Sequence, residues 1–299
     1  MRLFLLWYRI MYRSLDSLPS GVVSLNAPDA PLKLLMPERF AGLSQDPQWF
    51  ACCLGIGRHL VDIARHEDNP PGNLDARGGE NEFMVTGYDL PHEFESLRAT
   101  LGEKIVVKAN LQDVSRERRW DGRFVRATLG SQFETMHELA DVEQGLKGIR
   151  IGDVVLHFVQ PYALLRRGPQ QWLFMEYAPG ESLWDLDDIG GRSFHTIRTP
   201  GFVVENHPLL RPILESAALP NEKIENSIGL ADMDLFEKGL IAALATISMR
   251  PQEWFASRLD ITATNIFHQP GTGVYTFIDM QRPPSSGLRV AGVPLYPQW

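Results

Sequence analysis

The stretch Arg258-Leu-Asp-Ile-Thr-Ala-Thr-Asn-Ile-Phe267 and the run Gly273-Val-Tyr-Thr-Phe-Ile-Asp-Met280 decide how this chain is interpreted. Asn265 follows Asp260 by five positions (265 − 260 = 5), which fits a short loop that turns both side chains to one side. The second run is rich in β-branched and aromatic residues, which predicts a strand. That strand carries Asp279 at its end, fourteen residues after Asn265 (279 − 265 = 14).

Two carboxylates and one amide in this order are the groups that phosphoryl transfer requires. One carboxylate orients the attacking hydroxyl, the amide oxygen binds a magnesium ion, and the second carboxylate joins the metal to the nucleotide phosphates. The spacing of Asp260 and Asn265 also occurs by chance, where the aspartate caps a turn and the asparagine holds a loop. Asp279 at the end of a strand favours the catalytic interpretation.

A lysine and a helix precede this region in the order that such a site needs. Residues 103–109 form a short apolar run in which Lys108 can reach phosphates from a strand, although a lysine at a strand end is usually a surface residue. Residues 131–142 place apolar side chains at helical spacing. Glu134 and Glu138 lie on other faces of that helix, and either one is available as the partner of Lys108.

A predicted buried strand and a linker come next. Trp172 to Met175 form an apolar run, and Ala178-Pro-Gly180 ends it. The string Leu173-Phe-Met-Glu-Tyr-Ala-Pro-Gly-Glu-Ser-Leu183 resembles the hinge of the protein-kinase-like fold, most of all its aminoglycoside and small-molecule phosphotransferase branch. The resemblance covers residues 80 to 282, and the hinge and the catalytic loop are its specific parts.

The resemblance implies a nucleotide site with ATP and Mg²⁺ as cofactors. It assigns Asp260 as the catalytic aspartate and Lys108 as the phosphate-binding lysine, with Glu134 as the helix partner of that lysine. The remaining residues that it assigns are the hinge positions that bind adenine and the two metal ligands: Glu176, Tyr177 and Ala178 for adenine, and Asn265 and Asp279 for Mg²⁺.

The fold that the resemblance implies is α+β and two-lobed, with a small antiparallel-sheet lobe and a mainly helical lobe. The predicted domains are an N-terminal extension at 1–79, a nucleotide-binding small lobe at 80–178 and a helical lobe with the catalytic loop at 179–299. Predicted elements are strands near 82–88, 104–109, 154–160 and 171–176 and helices at 46–66, 131–145 and 232–249.

Two functions follow from the pattern. The first is an ATP- and magnesium-dependent phosphotransferase, an enzyme that phosphorylates a hydroxyl of a small molecule or peptide. The second is a catalytically impaired pseudokinase that acts as a binding or scaffold protein. It is motivated by the lack of a clear glycine-rich loop before Lys108 and by the twenty residues that follow Asp279 (299 − 279 = 20). The chain also departs from the family at Arg258, where the family has a scaffold histidine, and at Met280-Gln281 after the last aspartate. Repurposed chemistry, such as nucleotidyl transfer, is a third alternative.

Composition narrows the choice of partners and compartment. The chain has 299 residues, 44% of them hydrophobic, which suffices for a large core, and its formal net charge of −8 argues against generic nucleic-acid binding. Cys52 and Cys53 are adjacent, which fits neither a disulfide scaffold nor a zinc site and indicates a reducing, cytoplasmic setting. Residues 1–13 combine apolar side chains with three arginines. A segment docked on the folded body is preferred there over an amphipathic helix at a membrane surface.

Overall fold

The structure is a computed structural model that describes residues 12–14, 22–26, 32–65, 84–110, 129–167, 170–182, 233–261, 265–269, 271–278 and 280. The chain divides into two compact units, one formed by Met1–His137 with Gln160–Tyr177 and the other by Glu138–Val159 with Ala178–Trp299. Both units contain helices and strands, so the α+β class is confirmed. The domain boundaries at 79 and 178 stay a prediction.

The described part of the chain contains strands and helices whose bounds are as follows. The strands are β1 (Tyr12–Ser14), β2 (Val22–Asn26), β3 (Leu32–Pro37), β4 (Met84–Asp89), β5 (Lys104–Asn110), β6 (Ile149–Ile151), β7 (Val154–Phe158), β8 (Pro161–Arg167), β9 (Gln170–Glu176), β10 (Glu181–Ser182), β11 (Ile266–Gln269) and β12 (Val274–Phe277). The helices are a 3₁₀ helix (Glu38–Gln45), α1 (Pro47–Arg65), α2 (Glu95–Leu101), α3 (Leu129–Gly145), α4 (Met233–Ser248) and α5 (Gln252–Ala256).

The first unit is built on an antiparallel sheet of seven described strands in the order β1-β2-β3-β8-β9-β5-β4. Side chains alternate between the two faces of a sheet, so paired residues share a face. Val107 pairs with Phe174 on one face, and Lys108 pairs with Leu173 on the other. The strand that carries Lys108 therefore has an apolar side and a polar side.

The apolar face packs against α1 and the 3₁₀ helix to form a hydrophobic core. Trp49, Cys53 and Leu60 line one side of α1 and are fully buried, as their helical spacing predicts. The ring of Trp49 meets that of Phe174 edge-on at 5.8 Å between centroids. Further members of this core are Leu34, Met36, Leu97, Leu101, Ile105, Val107, Ala109, Ala163, Leu165 and Trp172.

The second unit contains a mixed sheet with the strand order β10-β11-β12-β7-β6. β12 runs parallel to β7, and the other pairs are antiparallel. The end of α3 is fixed to β7 by the Glu143 carboxylate, which accepts a hydrogen bond from the Phe158 N–H at 2.8 Å and contacts His157 Nδ1 at 2.8 Å. α4 buries Leu240, Ala243 and Leu244 on one side, so it is amphipathic as predicted.

Most of the elements predicted from periodicity are confirmed. α1, α3, α4, β4, β5, β7, β9 and β12 begin and end within a few residues of the predicted positions. β1–β3, β6, β8, β10 and β11 have no counterpart among the predicted strands. Most of them are too short to show a clear periodic pattern. Nothing tests the prediction for residues 1–11, which lie outside the described part, whereas Tyr12 and Arg13 begin β1. No described helix is long and apolar enough to cross a membrane.

Candidate functional site

Lys108 lies near the end of β5 on the face of the sheet opposite the hydrophobic core. Its neighbours across the two adjacent strands are Val85 and Leu173. The residue is only 4% exposed, and its Nζ donates a hydrogen bond to Gln132 Oε1 at 3.5 Å. A buried ammonium group is costly to desolvate unless it is held by polar partners. Lys108 is therefore an interior residue, and its side chain is engaged by α3.

The first half of α3 presents polar side chains toward the protein interior. Gln132 and Thr135 are one turn apart and are both fully buried. Gln132 Nε2 and Thr135 Oγ1 have no hydrogen-bond partner in the described part of the chain. The N-terminus of the helix is held by Gln171, whose Oε1 accepts the Gly130 N–H at 3.2 Å. The interior face of α3 thus carries two buried polar groups that make no hydrogen bond with the described residues.

Glu134, the predicted partner of Lys108, acts electrostatically on a different cation. Burial lowers the pKa of Arg166, and the negative charge of Glu134 opposes this shift. The contact that the structure shows between α3 and Lys108 is made by Gln132, two residues before Glu134. The assignment of Glu134 to Lys108 stays a prediction.

β9 ends at a glutamate whose carboxylate bonds to the backbone just before β8. Glu176 Oε2 accepts the Gln160 N–H at 3.0 Å, and the Glu176 N–H donates to the Gln160 carbonyl at 2.9 Å. Tyr177 is 39% exposed, and Lys104 Nζ lies 4.8 Å from its ring centroid. Ala178 is buried. The predicted adenine-binding residues therefore stand at the end of the strand that pairs with β5.

Gly180 fixes the path of the chain just after this linker. Its φ of +96° lies in the left-handed region that favours glycine. A Cβ atom at this position would overlap the carbonyl oxygen of His268. β10 begins at the next residue, where Glu181 pairs with His268. Glycine is required here by both the backbone conformation and the close approach of β11.

The Asp260–Asn265 loop is held by hydrogen bonds within the second unit. Asn265 Nδ2 donates to the Asp260 carbonyl at 3.1 Å and lies 3.4 Å from Asp260 Oδ2. The Ile278 N–H donates to the Asn265 carbonyl at 2.9 Å. Asp260 is exposed, and Asp279 lies outside the described residues. These contacts join the loop to the residue that precedes Asp279.

Arg258 anchors the start of the same loop. Its Nε donates to Glu138 Oε2 at 2.5 Å, and its Nη1 donates to the Trp254 carbonyl and to Ser257 Oγ, both at 3.0 Å. The guanidinium carbon lies 4.1 Å from the centroid of the Trp254 ring, within cation–π range. The residue is 8% exposed. Arg258 therefore ties the start of the loop to α3 through Glu138, the other predicted candidate partner of Lys108.

The donor chemistry of this loop suits magnesium. Carboxylate and amide oxygens are ligands that Mg²⁺ accepts, and the predicted pair would supply one of each, the carboxylate from Asp279 and the amide from Asn265. Among the described residues, no group of three or more His, Cys, Asp or Glu side chains is placed to hold a metal ion. The predicted ligand pair consists of the amide of Asn265 and the undescribed Asp279, so the magnesium site stays a prediction.

The residue patterns alone missed two features of the site. Gln132 is a polar residue in the buried apolar stripe that includes Leu129 and Met136, and this irregularity is the signal that could have identified it. The Glu138–Arg258 ion pair joins residues 120 positions apart (258 − 138 = 120), and no local pattern indicates it.

Comparisons with protein families and with curated proteins identify no relative of this chain. No protein-family model and no curated protein matches the chain. Functional inference therefore rests on the surroundings of Lys108 and on the Asp260–Asn265 loop.

Proposed function

We propose that the protein is an ATP- and magnesium-dependent phosphotransferase with a two-lobed, protein-kinase-like arrangement. Its acceptor is a hydroxyl of a small molecule or peptide. The observation that carries the proposal is the bonding of the Asp260 loop, in which Asn265 contacts Asp260 and receives the Ile278 N–H. This bonding supports a common location for the two predicted carboxylates and the amide, which is what phosphoryl transfer requires.

The exposed carboxylate of Asp260 acts on the acceptor in this proposal. It accepts a hydrogen bond from the attacking hydroxyl and takes its proton as the oxygen bonds to the γ-phosphorus of ATP and the bond to ADP breaks. Asn265 and Asp279 hold Mg²⁺, which when bound neutralises charge on the phosphates. The exposure of Asp260 supports this role, because a hydroxyl must reach the carboxylate.

Lys108 and the linker account for binding of the nucleotide. Lys108 acts as a point charge on the phosphates, and the backbone of Glu176, Tyr177 and Ala178 binds adenine. The pairing of β5 with β9 supports this division of roles, since it places the lysine strand directly beside the strand that leads into the linker.

Removal of the charge at Asp279 tests the proposal. The Asp279→Asn variant should lose ATP turnover, measured by ADP release, while circular dichroism shows an unchanged fold. Asp153→Asn serves as the matched control, because Asp153 is an exposed aspartate in a turn that has no role in the proposal. Full turnover in the Asp279→Asn variant would show that the assignment is wrong.

A binding or scaffold role for a pseudokinase is the second candidate. The observation that favours it is α2, which lies between β4 and β5, where a glycine-rich loop would precede the lysine strand. A thermal-shift measurement with ATP and Mg²⁺ separates the candidates, because a ligand that binds only the native state raises its apparent stability. A shift without turnover supports nucleotide binding alone, and no shift at millimolar nucleotide supports the scaffold role.

A further inference from the structure

The contact between α3 and Lys108 is made by an uncharged amide. Lys108 Nζ lies 3.5 Å from Gln132 Oε1, and the two residues are 4% and 0% exposed. A lysine ammonium group has only donors, so the partner atom must be an acceptor. This requirement fixes the orientation of the amide, with Oε1 toward Lys108 and Nε2 away from it.

The Nε2 group of Gln132 indicates that this residue is present for its acceptor atom, Oε1. Gln132 Nε2 is buried and finds no hydrogen-bond partner among the described residues. A buried donor without a partner destabilises the native state, and a methionine of similar length would avoid that penalty. The acceptor atom toward Lys108 is what a methionine could not supply.

The two glutamates of α3 that the sequence offers as partners of Lys108 differ in their surroundings. Glu138 pairs with Arg258 at 2.5 Å. The charge of Glu134 counters the effect of burial on the pKa of Arg166. The hydrogen bond from Lys108 to this helix goes to Gln132.

We propose that Gln132, rather than Glu134 or Glu138, is the positioning residue that holds Lys108 for the phosphates of the nucleotide. The inference rests on the proposed function. It replaces the ion pair expected from the family resemblance by a neutral contact, so the lysine is oriented by a hydrogen bond from its ammonium group to an amide oxygen.

Calorimetric titration of variants with two ligands tests this role. Gln132→Met should weaken binding of ATP with Mg²⁺ by roughly tenfold or more, because a hydrogen bond to a charged group is lost. Adenosine has no phosphates for Lys108 to bind, so its affinity should stay at the wild-type value. Gln132→Glu keeps an acceptor oxygen and should retain ATP binding close to the wild-type affinity. Gln144→Met, the same substitution at an exposed position of the same helix, is the matched control and should leave ATP binding unchanged. Glu134→Gln removes the carboxylate that the family resemblance assigns to Lys108 and should show no phosphate-specific loss.

The outcomes separate this inference from the proposed function. Wild-type ATP affinity in Gln132→Met, an equal loss of ATP and adenosine binding, or the phosphate-specific loss in Glu134→Gln instead would each overturn the role of Gln132 while leaving nucleotide binding in place. Absence of ATP binding by the wild-type protein would overturn both. Should Gln132→Met not fold, Gln132→Asn withdraws the same acceptor by one methylene and carries the same expectation.

Discussion

Lys108 of the first unit and Asp260 of the second, the two charged residues on which the proposal depends, differ in their surroundings. Lys108 is buried in a sheet of seven strands with a paired strand on each side, whereas Asp260 is exposed in a loop held by individual hydrogen bonds. In the first region, the alternation of side chains along β5 decides where the charge points. In the loop of Asp260, individual hydrogen bonds made by Asn265 and Arg258 hold the segment that carries the charge. Changes in the two regions should therefore have different consequences.

The largest effect expected from a single substitution is on chemistry at the exposed carboxylate. Asp260→Asn should lower ATP turnover by about a thousandfold, because the proton acceptor is removed. The free energy of unfolding should change by no more than about 0.5 kcal/mol, since the side chain is exposed. Turnover assays and urea unfolding of the same preparation measure both quantities. Loss of stability in step with activity would contradict the contrast between the two regions.

Gly180 tests how far the second unit depends on single contacts. Gly180→Ala should destabilise the native state by about 3 kcal/mol, because it combines a left-handed backbone with overlap of the His268 carbonyl. Gly271→Ala is the matched control: its φ of +75° is similar, but its Cβ would meet no atom within 4 Å. Urea unfolding of Gly271→Ala should therefore show a loss of only about 1 kcal/mol in unfolding free energy, which is the cost of the backbone strain. Equal losses at the two glycines would show that the approach of β11 is unimportant.

The partly buried ion pair of Arg258 with Glu138 should contribute more to the free energy of unfolding than an exposed one. Arg258→Met should cost about 2 kcal/mol in unfolding free energy, because it removes the bonds to Trp254 and Ser257 and leaves Glu138 without its cation. Arg98→Met breaks the Arg98–Glu103 pair, in which the side chain of Glu103 is 84% exposed, and should cost less than about 1 kcal/mol. Similar losses of unfolding free energy for the two variants would show that the Arg258 pair contributes no more than an exposed ion pair.

Alkaline pH should have the smallest effect, and it acts on the first unit. Burial raises the pKa of the Cys52 thiol from 9.0 to about 11 and that of Tyr88 from 10.0 to about 12. Because the folded-state pKa of each group exceeds the unfolded value, its contribution is complete below the unfolded value and is lost as pH rises toward the folded one. For Cys52 that window is pH 9 to 11.

Urea unfolding at pH 8 and pH 10 measures this loss. Cys52→Ala should lose about 1 kcal/mol less than the wild-type protein over that interval, after a discount for the partial exposure of the thiol. The same loss in both proteins would show that the thiol is not protected by the fold.

The helices and strands that carry the candidate site could be predicted from the sequence in both units, whereas β1–β3 and β8 of the first unit could not. Apolar runs and helical spacing predicted β5, β9 and α3 because their burial follows the periods of strands and helices. The same patterns placed Lys108 on a strand and Asp260 ahead of Asn265 in a loop. Such patterns report the local structure of a short segment, because they depend only on residues that are near one another in the sequence.

Contacts between distant segments could not be predicted in this way. Gln132 is 24 residues from Lys108, and the overlap that excludes a side chain at Gly180 comes from His268. The glutamates of α3 look equivalent in sequence, and only the positions of Arg166 and Arg258 distinguish them. Partner choice depends on which segments pack together, and the periodicity of one segment carries no information about that.

Calorimetric titration of ATP with Mg²⁺ into the wild-type protein and the Lys108→Met variant tests the central claim most directly. Wild-type protein should bind the nucleotide, and Lys108→Met should bind it at least about tenfold more weakly, because the charge that meets the phosphates is gone. Equal affinities for the two proteins, or no binding by either, would contradict a nucleotide site at Lys108.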